Sequence, residues 1–205
     1  MANVTNGGFR CVGTLSGGEI PTPMVREVAS SYGTAIGLGD VLATVSDGTV
    51  AVAATSDNGK LVGVVTGVSW VQSGRRTMQA PVPATTVFSP STVGSPNATL
   101  VEFIPCTPDV LFEVQATAAS FTTIATLVAL IQENCDMTVG TPDATTGYST
   151  FSLDLTSHNT TTFNWRIINI VGYSMSGIQL SMNDPASSRF SFIVACNESV
   201  YPTGT

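Results

Sequence analysis

The chemistry open to this chain is narrowed first by its single histidine. His158 stands in Thr156-Ser157-His158-Asn159-Thr160, a polar stretch between two strand-like segments, and any Ser-His-Asp arrangement would have to use it. A solvated turn histidine is the expectation. The near match to a nucleophile elbow, Gly172-Tyr173-Ser174-Met175-Ser176-Gly177, places its last glycine one residue too late. Gly37-Leu38-Gly39-Asp40 begins like a dinucleotide-binding turn but lacks the third glycine and leads into a strand pattern. Gly59-Lys60 has no glycine five positions upstream, so it is not a phosphate-binding loop. Glu102 and Glu113 fall on the outward positions of alternating segments, where solvent exposure accounts for them without a hydrolytic carboxylate pair. Cys11, Cys106, Cys135 and Cys196 are scattered and make no C-x-x-C pair. They are expected to be buried, reduced thiols. No catalytic residue, metal site or cofactor is expected, and the chain is not read as an enzyme.

Charge and composition set the next bounds. Only 10% of the 205 residues are charged, and the formal net charge is −7. A sequence pI near 4.4 cannot supply the basic stripe that neutralises phosphates, so nucleic acid is not an expected partner. No run of 18 apolar residues is present, so no membrane helix is expected. Met1-Ala2-Asn3-Val4-Thr5 is not a basic segment leading into an apolar one, and synthesis in the cytoplasm is the expectation. Between Thr77 and Trp165 there is no lysine or arginine, while Glu102, Asp109, Glu113, Glu133, Asp136, Asp143 and Asp154 all lie there. That block carries the whole net charge. It either steers partners through its field or keeps a sparsely charged surface soluble.

The elements that must position these residues are mostly strands. Residues 1–35 read as an extended arm, broken by Gly7-Gly8, Gly17-Gly18 and Pro21-Thr22-Pro23, with Phe9, Val12 and Ile20 as isolated apolar anchors. The remaining residues, 36–205, read as one β domain. Val41–Val45 and Thr49–Thr55 flank the hairpin signal Asp47-Gly48, and the valine-rich Leu61–Gln72 follows. The stretch 78–97 is uncharged and holds Pro81, Pro83, Pro90 and Pro96, which marks a long loop or edge segment that contacts a partner. Alternation resumes at Leu100–Ile104, Val110–Gln115, Phe151–Leu155, Phe163–Ile167 and Phe190–Cys196, with a phase slip near Ile168 that predicts a bulge. Phe121, Ile124, Leu127, Val128 and Ile131 recur at helical spacing and predict one short helix over Phe121–Glu133. The fold class is therefore all-β, a jelly-roll-like sandwich or barrel with one short helix.

Several of these stretches carry a resemblance. Asn6-Gly7-Gly8-Phe9-Arg10-Cys11-Val12 resembles the N-terminal "GFRPV" signature of tailed-bacteriophage head decoration, or cement, proteins, with Cys11 in place of proline. Gly39-Asp40-Val41 and Leu61-Val62-Gly63-Val64-Val65-Thr66-Gly67 are similar to that family's "GDxV … G-V-V-x-G" core. Pro108-Asp109-Val110-Leu111-Phe112-Glu113-Val114-Gln115 is similar to its "DPDxxFEVQ" segment, the most specific of the set. Thr146-Gly147-Tyr148-Ser149, Leu153-Asp154 and Arg166-Ile167-Ile168 follow "TGRS … LD … RIL" with Tyr148 for arginine, and Cys196-Asn197-Glu198-Ser199 stands where the family closes on "NEH".

The resemblance implies a structural virion protein that sits on the outer capsid surface and bridges major capsid protein subunits. It also implies a homo-oligomer, for which a trimer is preferred over a dimer. The expected contacts are Phe9, Arg10, Val12 and Ile20 in the arm, the basic pair Arg75-Arg76, and Phe88 in the proline loop. For Arg75-Arg76, an exposed turn without a role is the competing reading. Two other functions stand as alternatives. One is a surface adhesin or carbohydrate-binding β module, against which the low aromatic content of 7% counts. The other is a β-fold hydrolase using carboxylates.

Overall fold

A computed structural model describes residues 8–29, 32–55, 57, 59–83, 94–117, 124–159, 163–171, 173–174, 177–178, 189–197 and 199–201. Its strands are β1 (Arg10–Thr14), β2 (Met24–Glu27), β3 (Val41–Thr44), β4 (Val50–Val52), β5 (Leu61–Gln72), β6 (Arg75–Thr77), β7 (Leu100–Pro105), β8 (Val110–Thr117), β9 (Asn134–Thr138), β10 (Ser152–Asn159), β11 (Trp165–Ile170), β12 (Tyr173–Ser174), β13 (Gly177–Ile178) and β14 (Arg189–Cys196). One helix, α1 (Ile124–Val128), lies between β8 and β9. The all-β class read from the sequence is the class observed.

The strands build two closed sheets. In the first, hydrogen bonding runs β8–β10–β9–β11–β14 and returns from β14 to β8, which makes a five-stranded barrel. The alternating side chains fill it. Val110, Phe112, Val114 and Ala116 of β8 and Phe190, Phe192, Val194 and Cys196 of β14 are buried, while Leu111, Glu113, Ser191 and Ile193 between them are half-buried. The β11–β14 register shifts between Ile167 and Asn169, the bulge that the slipped alternation predicts. In the second sheet the order is β2–β7–β5–β3–β4, with β6 added to β5. The segment after β2 closes it: Val28 bridges Val50 in parallel, and the Ala29 N–H donates to the Val50 carbonyl at 2.8 Å.

Two apolar cores result, and they share a wall. Along β3, Val41 and Ala43 face the first core while Leu42 faces the second. Along β5, Leu61 and Val64 face the first core, and Val62, Val65, Val68 and Trp70 the second. A strand buried on both sides has no polar face, which is why Leu61–Val65 reads as a continuous apolar run.

Three parts differ from the sequence expectation. Residues 8–29, expected to stand off as an arm, are woven into the body: β1 pairs with β8, β2 pairs with β7, and Phe9 is buried. A boundary at residue 35 therefore cuts through both sheets, and deleting residues 1–35 would remove strands and core rather than leave the β body intact. The helix is shorter than expected. Beyond Val128 the bonds tighten to Leu130→Leu127 and Ile131→Val128, and Gln132 at φ 77° ends the segment, its N–H donating to the Ile167 carbonyl. Residues 121–123 lie outside the described set. Finally, the proline loop is partly internal, because Val82 is fully buried and exchanges two backbone hydrogen bonds with Ile36.

Candidate functional site

The quoted motif stretches meet in space. The Phe9 N–H donates to the Gly39 carbonyl at 3.0 Å, the Leu38 N–H to the Gly147 carbonyl at 2.9 Å, and the Ser149 N–H to the Leu38 carbonyl at 2.7 Å. Arg10 Nη2 donates to Glu113 Oε2 at 2.6 Å. Asp40, fully buried, accepts from the Gly37 N–H at 2.7 Å, and the Ser149 hydroxyl bonds its carboxyl group. These four chain segments form the seam between the two barrels. Burial pushes the Asp40 carboxyl up to about 7, against the lowering effect of the Gly37 and Ser149 hydrogen bonds.

The expected contact residues fall into different classes. Phe9 cannot anchor a partner: it is 2% exposed and stacks on Trp165 with ring centroids 4.4 Å apart. Its isolation among glycines in the sequence hid a partner that lies 156 positions away on β11. Arg10 is surface-exposed but spends its guanidinium on Glu113 of its own chain. Arg76 is exposed but acts as a clasp on its own chain, donating to Ser69 Oγ at 2.8 Å, the Pro96 carbonyl at 2.7 Å and the Ala98 carbonyl at 3.1 Å. It holds the returning end of the proline loop against β5. Arg75 is exposed beside the Ser73-Gly74 turn and makes no ion pair with a described residue. Val12 and Ile20 are exposed. Phe88 lies outside the described residues.

The residues probed for catalysis are placed otherwise. His158 is not in a turn. It sits on β10, half-buried, with Nδ1 2.5 Å from Glu133 Oε2. Tyr173–Ser174 pairs with Gly177–Ile178 as a small antiparallel hairpin, not as the strand-to-helix turn a nucleophile elbow needs. Glu102 is exposed, within 3.5 Å of the Thr66 hydroxyl, and Glu113 is held by Arg10. Among the described residues, no three His, Cys, Asp or Glu side chains are grouped to hold a metal ion, and no helix is long and apolar enough to cross a membrane.

What sequence reasoning missed is a set of exposed apolar side chains near the start of the chain, one of which lines a groove. Leu15, Met24 and Val25 are exposed along with Val12 and Ile20, so five large apolar side chains face solvent within 14 positions. Met78, 82% exposed, lies with Val25 and Leu100 on a groove of about 290 Å³ that runs across β2, β7 and β5 and carries Arg76 and Glu102 on its lining. The signal was available in Pro23-Met24-Val25, where apolar residues follow a strand-breaking proline pair. No family model, curated protein or solved structure matches the chain.

Proposed function

We propose that this chain is a capsid decoration protein that binds the outer surface of a tailed-phage head and bridges major capsid protein subunits, acting as a homo-oligomer with the trimer preferred. The observation that carries the reading is the groove across β2, β7 and β5, on whose lining the exposed Val25 and Met78 lie together. Exposed apolar side chains that share one patch mark a protein contact. The resemblance supplies the partner. Three of its motif stretches, around Phe9, Gly39 and Gly147, are joined to one another by backbone hydrogen bonds through Gly39 and Leu38. A net charge of −7 suits a position outside the shell, away from packaged DNA. Many modest contacts repeated around a symmetric shell add to firm attachment without any single strong site.

Sedimentation tests the proposal. Expanded DNA-free heads of the phage that carries this gene, prepared without the chain, are mixed with the purified protein and pelleted. The wild-type chain is expected to pellet with the heads. The double substitution Val25→Asp and Met78→Asp places charges in the apolar groove and is expected to weaken binding by about ten-fold or more. His158→Ala is expected to leave binding unchanged. A wild-type chain that stays in the supernatant, or a double variant that pellets as well as the wild type, overturns the reading.

A further inference from the structure

We propose that Cys106 and Cys196 are a latent cross-link, two preplaced thiols that a hydroperoxide converts to a disulfide fastening one barrel to the other. All four cysteines carry free thiols, but they are not equally placed. Cys106 follows β7, and its N–H donates to the Val62 carbonyl of β5 at 2.9 Å, so it belongs to the wall of the second barrel. Cys196 ends β14 and pairs with Trp165 of β11, so it belongs to the first.

The strand register brings the two together. Ala195 lies opposite Leu111, and one further step along this antiparallel pair sets Cys196 beside Val110. The Val110 N–H bonds back to the Thr107 carbonyl at 3.0 Å, in the turn that begins directly after Cys106. Both side chains belong to the same buried cluster, and Cys196 is close enough to be among the groups that raise the Cys106 thiol. Cys11 is half-buried on β1 opposite Phe112, near enough for its charge to act on Cys106. Cys135 is elsewhere, buried on β9 beside Asp136.

Burial pushes the Cys106 thiol well above its ordinary range, which disfavours the thiolate and makes the pair slow to react with bulky reagents. Hydrogen peroxide meets the same low thiolate fraction but not the steric barrier, so the oxidation is slow and is driven by excess oxidant. The Cys196 sulfur attacks one peroxide oxygen; the O–O bond breaks, and the departing hydroxide leaves as water with the thiol proton. The sulfenic acid so formed is attacked by the Cys106 sulfur. The S–S bond forms, the S–O bond breaks, and hydroxide leaves as a second water with the Cys106 proton. Two thiols and one hydrogen peroxide give one disulfide and two waters. The closed loop spans 90 residues, from 106 to 196, so the link restrains the unfolded chain strongly.

The test exposes the folded full-length chain to hydrogen peroxide, then unfolds it, alkylates the remaining thiols and maps the peptides by mass spectrometry. The expected result is a chain lighter by two hydrogens, a linked peptide pair containing Cys106 and Cys196, and Cys135 alkylated. The urea midpoint of the oxidised chain is expected to rise and to return after treatment with dithiothreitol. Cys196→Ala is expected to show neither link nor rise. Peptide mapping of the wild type decides the question even if that variant folds poorly. Full alkylation of both Cys106 and Cys196 after oxidation, or a link that uses Cys135, overturns the proposal.

Discussion

Asp40 is enclosed at the seam with one carboxylate oxygen, Oδ2, bonded to the Gly37 N–H and the other, Oδ1, without a protein partner among the described residues. An ionised carboxylate so placed costs stability, and burial accordingly raises its proton affinity. The folded chain holds this proton up to about pH 7, whereas an ordinary aspartate releases it near 3.8. Between those values the folded state binds one more proton than the unfolded state, so stability falls as pH rises and levels off above about 7. Tyr32 is the other titratable group facing this carboxyl; burial pushes it up to about 12, so it stays neutral throughout the window. Asp40→Asn keeps the shape and removes the titration. Urea unfolding from pH 5 to pH 8 is expected to show wild-type stability dropping by about 3 kcal/mol relative to the variant. Parallel pH profiles for the two proteins would refute this account. The Phe9–Trp165 stack permits a second expectation. Phe9→Ala removes a buried ring from the first core and is expected to cost about 3–5 kcal/mol in urea unfolding. Arg10→Ala breaks an ion pair whose arginine is 73% exposed and is expected to cost under about 1 kcal/mol.

Strands with one buried face were legible because their side chains alternate: Val110–Gln115 and Phe190–Cys196 became β8 and β14 with the expected residues inside. β9 was not legible. Asn134-Cys135-Asp136-Met137-Thr138 does alternate, but Asn and Asp are poor strand formers and the segment follows directly on a helical period. Its pairing with β10 and β11 supplies what local preference does not. β1 and β2 were obscured by the glycines and prolines around them, since their stability comes from β8 and β7, about 100 and 75 positions away. The candidate contacts followed the same pattern. Val12 and Ile20 are exposed, whereas Phe9, which reads the same way in the sequence, is buried, and its burial and the clasp of Arg76 depend on partners distant in the chain. The wall strand β5 gives a sharp test of these pairings. A Cβ at Gly63 would strike the Phe103 ring and the Ile104 carbonyl of β7, while one at Gly67 would come no closer than 3.4 Å to Glu102. Gly63→Ala is expected to lower stability by about 1–3 kcal/mol through overpacking, and Gly67→Ala by much less. Thermal melts of the two variants compare them directly, and equal midpoints would mean that β5 and β7 are not packed as described.

The two barrels share a wall, because β3 and β5 face both cores, so their stabilities are not independent. Val41, Ala43, Leu61, Val64 and Ile104 belong to elements of the second sheet, yet they complete the core of the first. Opening the second barrel would withdraw these side chains and expose Phe112 and Trp165 beside them, with each large apolar residue worth about 1.5–3 kcal/mol of burial. Neither half can then lose its structure while the other keeps its own, and the chain is expected to unfold in a single transition. The sequence provides a reporter for each half, because the chain has two tryptophans: Trp70 in the second core and Trp165 in the first. In Trp165→Phe the remaining fluorescence follows the second barrel, and in Trp70→Phe it follows the first. Within each variant the fluorescence midpoint in urea is expected to coincide with the midpoint from far-ultraviolet circular dichroism, which reports both barrels together. A fluorescence transition that precedes or lags the dichroism in either variant would mean that the wall formed by β3 and β5 does not couple the cores. The seam would then be a hinge between separable domains.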